Sequence, residues 1–129
     1  MTITSLHALV YSDDPEATRA FLRDVLEWPY VEHTESGPGW LIFKSGPSEV
    51  GVHPTSGTHD GEKYSYPRHH SISLMCDDVD QTVAELTAKG VEFEGPVQDL
   101  GFGHGVTFDL PGAGGVLLYQ PRHATAYYI

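Results

Sequence analysis

The stretch ISLMCDDVDQTVAELTAKGVEF (Ile72–Phe93) changes its hydrophobic pattern once, and that change decides the fold. It begins with a short run of mostly apolar residues, which is typical of a β-strand. Apolar residues then recur at Val79, Val83 and Leu86, the spacing that gives a helix one buried face. The sequence therefore predicts a strand that passes directly into an amphipathic helix.

The ends of this helix carry their own signals. Asp78 is placed to cap the first turn, Gln81 is placed for a capping-box bond back to it, and Gly90 ends the helix. The first half of the chain repeats the junction, because Asp14 is a second candidate cap and Pro15 suits a first helical position. Two aspartate pairs thus mark equivalent points of two similar halves.

The first half follows the same plan as the second. SLHALVYS (Ser5–Ser12) predicts a strand and DDPEATRAFLRDVLEW (Asp13–Trp28) a helix. Three extended runs follow each helix: YVEHTE, GWLIFKS and SEVGVHP in the first half, and VEFEGPVQDL, HGVTFDL and GGVLLYQP in the second. We therefore predict one domain over 1–129, with βαβββ modules at about 3–54 and 69–121, a polar linker at 55–68 and a tail at 122–129.

Composition limits the possible partners. Lys and Arg number 7 against 18 Asp and Glu, a net charge of −11, and no basic run attracts a phosphate backbone. The sequence has neither a signal-peptide pattern nor 18 consecutive apolar residues. Cys76 is the only cysteine, which excludes an internal disulfide. We expect a cytoplasmic protein whose partner is a small molecule, and neither a nucleic acid nor a membrane.

The sequence resembles the vicinal oxygen chelate superfamily, which includes glyoxalase I, extradiol dioxygenases, fosfomycin thiol transferases and bleomycin-type antibiotic-binding proteins. The resemblance runs from Ile3 to about Pro121. It rests on LHALVYSDDPEATRAFLRDVLEW, ISLMCDDVDQTVAELTAKGVEF and FDLPGAGGVLLYQP. It implies an α+β fold in which the two βαβββ modules form a curved open barrel around a cup, and it implies a homodimer.

The same resemblance implies where a divalent metal would bind. His7 matches the first ligand position of the family. The position that ends the first module aligns with Gly51, with Glu49 and His53 on the same strand face as substitutes.

The second module matches the family's metal positions less well. Its first position aligns with Ser71, one residue beyond His70, and a shift of one residue reverses the strand face. The glutamate of the family's last strand falls on Leu117, which has no metal-binding atom. The candidate metal set is therefore His7, Glu49, His53 and His70, for zinc, nickel, manganese or iron, and no other cofactor is predicted.

Two functions stay open at this point. The first is the binding of a small apolar or aromatic molecule in the cup, neutral or cationic because the protein is acidic. Its candidate residues are His7, Trp40, Glu49, His53, Phe102 and Tyr119. The alternative is a metal-dependent lyase, isomerase or dioxygenase acting on vicinal oxygens, with Glu49 as the base.

Overall fold

The computed structural model describes residue 5, residues 7–34 and residues 39–128. The start of module one and residues 35–38 lie outside the described residues. The described residues contain two α-helices, eight strands, one π-helical turn and one 3-10 turn. They are α1 (Pro15–Ala20) continued by a π-helical turn (Phe21–Val25), β1 (Tyr30–Glu32), β2 (Leu41–Phe43), β3 (Ser56–His59), β4 (Glu62–Ser65), β5 (Ser73–Met75), α2 (Val79–Ala88), β6 (Gln98–Asp99), β7 (Gly103–Leu110), β8 (Gly114–Pro121) and a 3-10 turn (Ala126–Tyr128).

The second module forms a four-stranded mixed sheet in the order β5, β8, β7, β6. Strand β5 runs parallel to β8, while β7 is antiparallel to both β8 and β6. Thr107 lies opposite Leu117, and Gly105 lies opposite Tyr119. A strand, a helix and three strands therefore follow one another as predicted, and the α+β class is confirmed.

Both helices begin where the sequence predicted. The Asp14 carboxylate accepts a hydrogen bond from the Ala17 N–H at 3.2 Å, and Pro15 occupies the first turn. The Asp78 carboxylate accepts from the Gln81 N–H at 3.0 Å. No helix in the described part of the chain has the length and apolar character needed to cross a bilayer.

The capping box predicted at Gln81 is wrong. The side-chain amide of Gln81 instead donates to the Glu85 carboxylate at 3.0 Å, one helical turn further along. This i to i+4 contact on the exposed face uses the side chain that the capping box required. Of Asp78 and Gln81, only the Asp78 side chain therefore caps α2.

The core is built around Phe108, which is fully buried on β7. Its ring stacks on Phe21 at a centroid distance of 5.8 Å and meets Phe93 edge-on at 5.6 Å. Val79 and Leu86 of α2 belong to the same buried cluster. Both helical segments therefore pack on one face of the sheet and share a single core.

The segment at residues 7–12 was predicted as a strand, and the structure shows none there. Its end is fixed in another way, because the Asp13 N–H donates to the Gly112 carbonyl at 2.8 Å in the turn between β7 and β8. A strand needs a neighbouring strand that pairs with its backbone. This segment has no such pairing, and only the residue that follows it, Asp13, is hydrogen-bonded to the turn. Leu9 and Tyr11 are consequently exposed.

The run SEVGVHP was also predicted as a strand, and it forms no backbone ladder in the structure. Its described contact with the C-terminal part of the chain comes from a side chain, since Glu49 accepts a hydrogen bond from the Ala126 N–H at 2.8 Å. Val50 and Val52 are left 75% and 96% exposed. Side-chain anchoring holds this run in place without strand pairing.

The polar stretch at residues 55–68 was predicted as a loop, but most of it is the antiparallel hairpin β3–β4. Asp60 and Gly61 form its turn with φ values of 50° and 80°. Positive φ at both central residues is the requirement of the tight turn that matches strand twist, and Asp-Gly meets it. The hairpin therefore follows from a local signal within HDGE.

Replacing Phe108 tests the shared core. Phe108→Ala should lower the free energy of unfolding by about 3–5 kcal/mol, because it removes a fully buried ring and leaves a cavity between both helices and the sheet. Urea denaturation followed by circular dichroism measures the change. Lys63→Ala on the exposed hairpin is the control and should shift stability by no more than about 0.5 kcal/mol. Equal effects of the two substitutions would contradict this assignment of the core.

Candidate functional site

The sheet has a second face, on the side opposite Phe108 and the helices. Successive strand residues point to opposite faces, so Gly105, Thr107, Leu117 and Tyr119 share this side. We call it the open face. Beside it lies a cavity of about 220 Å³ lined by Glu94, Pro96, Gln98, Leu100, Gly105, Val106, Thr107 and Leu117. Leu117, which stands where the family resemblance places a carboxylate, is part of this lining.

Two glycines keep the open face shallow next to Tyr119. A Cβ added at Gly105 would lie 2.8 Å from the Leu118 carbonyl oxygen and 2.9 Å from the Tyr119 Cβ. At Gly103 the added atom would overlap the Gln120 carbonyl oxygen. Both positions therefore exclude side chains by contact with β8, and the Tyr119 side chain packs against them.

Tyr119 is the buried aromatic residue of the open face. Phe102 meets its ring edge-on at 5.2 Å while remaining half exposed itself. The Tyr119 hydroxyl lies 3.1 Å from Nε2 of His123. Burial raises the pKa of the Tyr119 phenol, and the negative charge of Glu49 raises it further. Tyr119 is consequently a neutral hydrogen-bonding group throughout the physiological pH range.

The loop that carries Phe102 is tied down by Arg122. The guanidinium donates to both carboxylate oxygens of Asp99 at 3.1 Å and to the Gly101 carbonyl at 3.0 Å. The guanidinium also lies 3.1 Å from Nε2 of His104. The backbone N–H of Arg122 donates to the Phe102 carbonyl at 2.8 Å. The two-point contact holds the pKa of the Asp99 carboxyl below its ordinary value. Arg122 therefore positions the Phe102 ring.

Glu49 reaches the same region from the first half of the chain. One carboxylate oxygen accepts from the Ala126 N–H, and the other lies 3.5 Å from Nε2 of His123. The Glu49 side chain is mostly buried, with 18% of its area exposed. Of the six residues predicted to bind a ligand, the structure thus brings together Glu49, Phe102 and Tyr119.

The other predicted residues lie elsewhere. His7 is exposed in the unpaired segment, and His70 is exposed in the run before β5. Trp40 is partly covered by the Arg19 guanidinium, 5.0 Å from its ring centre. His53 belongs to a separate exposed group of rings, with Tyr64 at 5.5 Å and Tyr66 at 6.4 Å.

The predicted metal set is not gathered in one place. Across residues 7–34 and 39–128, no three side chains among His, Cys, Asp and Glu lie close enough together to hold a metal ion. The enzyme alternative required His7 to meet two of Glu49, His53 and His70. That convergence, and the role of Glu49 as a base, stay predictions without support from the geometry.

His123 is the site residue that sequence reasoning missed. It lies two residues beyond β8 and contacts both Tyr119 and Glu49. Strand alternation gave no signal for it, because β8 ends at Pro121 and the chain bends at residues 122–123. The hydrogen bond from the Ala126 N–H to Glu49 places the C-terminal tail against the first half of the chain.

Two further features lie apart from the open face. A cavity of about 520 Å³ is formed around Tyr11, Asp13 and the turn between β7 and β8, and it contains none of the predicted residues.

Cys76 is half buried next to the Tyr119 carbonyl, and burial raises the pKa of its thiol. A protonated, partly covered thiol is a poor nucleophile.

Comparison with known proteins identifies the family and the fold. Residues 4–119 match the sequence model of the Glyoxalase/Bleomycin resistance protein/Dioxygenase superfamily. Among solved structures, TnmS3, an antibiotic binding protein from Streptomyces sp. CB03234, is 19% identical with a TM-score of 0.59, covering 94% of this chain and 98% of its own. Lactoylglutathione lyase from Agrobacterium tumefaciens is 19% identical with a TM-score of 0.60, covering 93% and 96%.

A third structure, a glyoxalase/bleomycin resistance protein/dioxygenase from Nocardioides, is 16% identical with a TM-score of 0.61 and covers 97% of this chain and 88% of its own. A comparison with curated proteins found no significant match. Similarity at this identity establishes the fold alone. The resemblance to the vicinal oxygen chelate fold is thereby confirmed.

The contact between Arg122 and Asp99 predicts a pH effect. Because the folded pKa of Asp99 lies below its ordinary value of 3.8, Asp99 stabilises the fold above about pH 4 and this contribution is lost as the pH falls through the folded pKa. Arg122→Gln should raise the Asp99 pKa towards its ordinary value, as measured by carbon NMR of the carboxyl groups. Arg68→Gln, at an exposed arginine, is the control. An unchanged Asp99 pKa in Arg122→Gln would contradict the contact.

Proposed function

Since the chain belongs to the Glyoxalase/Bleomycin resistance protein/Dioxygenase superfamily, we propose that it binds a small apolar or aromatic molecule on the open face. The same fold occurs in an antibiotic-binding protein and in a lyase, so the fold alone does not distinguish binding from catalysis. The proposal therefore rests on this chain's own residues. The observation that carries it is the combination of Leu117 with the Phe102 and Tyr119 ring pair.

Leu117 makes the centre of the open face apolar. It lies half buried between Ser73 of β5 and Thr107 of β7, beside the cavity. Covering its exposed methyl groups releases water, worth about 0.8 kcal/mol for each CH₂ group buried. A carboxylate here would favour a cation, whereas leucine favours the hydrocarbon part of a ligand.

The ring pair supplies a stacking surface at the edge of the open face. Phe102 is 48% exposed, so a flat molecule reaches its ring, while Tyr119 fixes the ring from behind. Aromatic pairs of this kind contribute about 0.5–1.5 kcal/mol beyond the area that they bury. The Arg122 contacts hold the loop in place before binding, which lowers the entropy lost on binding.

Polar groups at the rim fix the orientation of the bound ligand through hydrogen bonds. Thr107, Gln98 and Glu94 line the cavity with a hydroxyl, an amide and a carboxylate. The chain has a net charge of −11, which favours a neutral or cationic molecule over an anion. The cavity of about 220 Å³ is below the ~300–1,000 Å³ typical of sites for drug-sized ligands, so we infer a compact ligand.

A homodimer fits the same proposal. Exposed large apolar residues are concentrated in the first half of the chain, with Leu9, Tyr11, Val31, Val50 and Val52 among them. Contiguous exposed apolar surface is often a protein interface. The dimer and the cytoplasmic location stay predictions, and light scattering on the native chain tests the dimer.

A matched pair of substitutions tests binding on the open face. The probe is prodan, a neutral naphthalene dye whose emission shifts to the blue in apolar surroundings. Leu117→Asn should weaken dye binding about tenfold, because about 1.4 kcal/mol of apolar contact is lost. Val52→Asn makes the corresponding apolar-to-amide change at a residue that is 96% exposed, and it should leave binding unchanged.

The comparison separates a site from general surface stickiness. Near-ultraviolet circular dichroism confirms that both variants are folded. Weakening by Val52→Asn alone, or equal weakening by both variants, would assign the dye to exposed apolar surface and refute the proposal. Absence of dye binding to the unsubstituted chain at about 100 µM would refute it as well.

A further inference from the structure

One carboxylate lies at the cavity of the open face without a cation beside it. Among the described residues that line the cavity, Glu94 is the one that carries a charge, and Gln98 and Thr107 are neutral polar residues. In the part of the chain that the structure describes, no Lys, Arg or His forms an ion pair with Glu94. Glu94 is also exposed, so a charged group of a ligand can reach it.

The direction of the Glu94 side chain follows from the strand register. Phe93 forms an antiparallel bridge with Phe108, and both rings pack together in the core. The Glu94 N–H donates to the Thr107 carbonyl at 2.9 Å. Because successive residues of an extended run point to opposite sides, Glu94 and Thr107 both point to the open face. The carboxylate therefore lies on the same side of the sheet as Leu117.

Glu94, Thr107 and Leu117 form one row across the sheet. Thr107 is paired with Leu117 of β8, and Glu94 lies on the other side of β7. Neighbouring strands are about 4.7–4.9 Å apart, so the Glu94 and Leu117 backbones are separated by about 9–10 Å. A negative charge and an apolar side chain thus lie at opposite ends of a short row, with a hydroxyl between them.

A second apolar residue adds to the surface beside this row. A Cβ added at Gly105 would lie 3.0 Å from Cδ1 of Leu100, so the Leu100 side chain covers this glycine. The Leu100 N–H donates to the Gly103 carbonyl at 2.8 Å, which fixes the position of Leu100. Leu100 and Leu117 therefore both offer apolar contacts to a ligand in the cavity.

The polar groups of the cavity match the hydrogen-bonding capacity of an ammonium group. An ammonium group has three N–H donors, and the Glu94 carboxylate, the Thr107 hydroxyl and the Gln98 side-chain oxygen are all acceptors. A neutral ligand would take water from the carboxylate without supplying a charge, which is unfavourable. An anionic ligand would be repelled. The lining therefore favours a cation over the other two classes.

We propose that the ligand of the open face is a compact arylalkylamine in its protonated form. Its ring lies against Leu117 and Leu100, and its ammonium group pairs with Glu94. This ligand class rests on the proposed function, and it specifies the charge of the ligand and the residue that recognises it.

The test compares two ligands of nearly equal shape by calorimetry at neutral pH. 1-Naphthylmethylamine and 1-naphthalenemethanol share a ring system and a methylene group and differ in carrying an ammonium or a hydroxyl group. The unsubstituted chain should bind the amine about fivefold more tightly than the alcohol. Glu94→Gln should abolish this preference, and it keeps the backbone hydrogen bond to Thr107.

Glu62→Gln is the matched control. Glu62 is an exposed residue of β4 on the hairpin, and its substitution removes the same unit of negative charge from the chain. Glu62→Gln should therefore keep the fivefold preference for the amine. The control separates recognition by Glu94 from a general attraction of cations to an acidic protein.

Three results would overturn the proposed ligand class. They are equal affinity for the two ligands in the unsubstituted chain, a preference that Glu94→Gln leaves intact, and equal loss of preference in Glu62→Gln. In each case, binding of the alcohol that is weakened by Leu117→Asn would leave the proposed function standing. Failure of both ligands to bind at about 1 mM would refute the proposed function together with the ligand class.

Discussion

The packing of Phe108 is the interaction on which the rest of the structure depends. Its ring is fully buried between Phe21, which follows α1, and Phe93, which follows α2. Because strand residues alternate, fixing Phe108 towards the helices fixes Thr107 towards the other side. One buried ring therefore sets which side chains of β7 and β8 form the core and which form the open face.

The character of the open face follows from this register. Leu117 stands where the family resemblance implies a carboxylate, and its side chain makes the centre of the face apolar. Gly103 and Gly105 leave no room for side chains against β8, so Tyr119 packs close to the backbone. Charged groups lie beyond the end of β8, where Glu49 and His123 face each other. The apolar centre of the open face and this charged pair are thus neighbouring but separate groups.

The sequence predicted the elements whose signals are local and strong. Asp14 and Asp78 cap the helices as expected, and the strands that hold Thr107 and Leu117 form a long antiparallel pair. The segment at 7–12 was predicted wrongly because alternation indicates which residues suit a strand and not whether a partner edge is available. The Asp60-Gly61 turn was overlooked although its chemistry is local.

The site was predictable only in part. Phe102 and Tyr119 were chosen as aromatic residues and Glu49 for its place beside a family metal position, and the fold brings the three together. His123 was not chosen, because its role depends on a carboxylate 74 positions earlier in the chain. His7, His53 and His70 were placed by similarity to the family, and Trp40 was chosen as an aromatic residue. His7 and His70 are exposed, Trp40 lies beside Arg19, and His53 lies beside Tyr64. Long-range contacts of this kind have no signature in local sequence.

The most direct test of the central claim is methyl NMR of the protein during titration with 1-naphthol, a compact neutral aromatic molecule. Binding on the open face predicts saturable shifts of the Leu117 and Thr107 methyl signals, with nuclear Overhauser effects from the naphthol ring to both. Shifts confined to the Val50 and Val52 methyl groups, or no saturable shift at all, would contradict the assignment of the open face as the binding site.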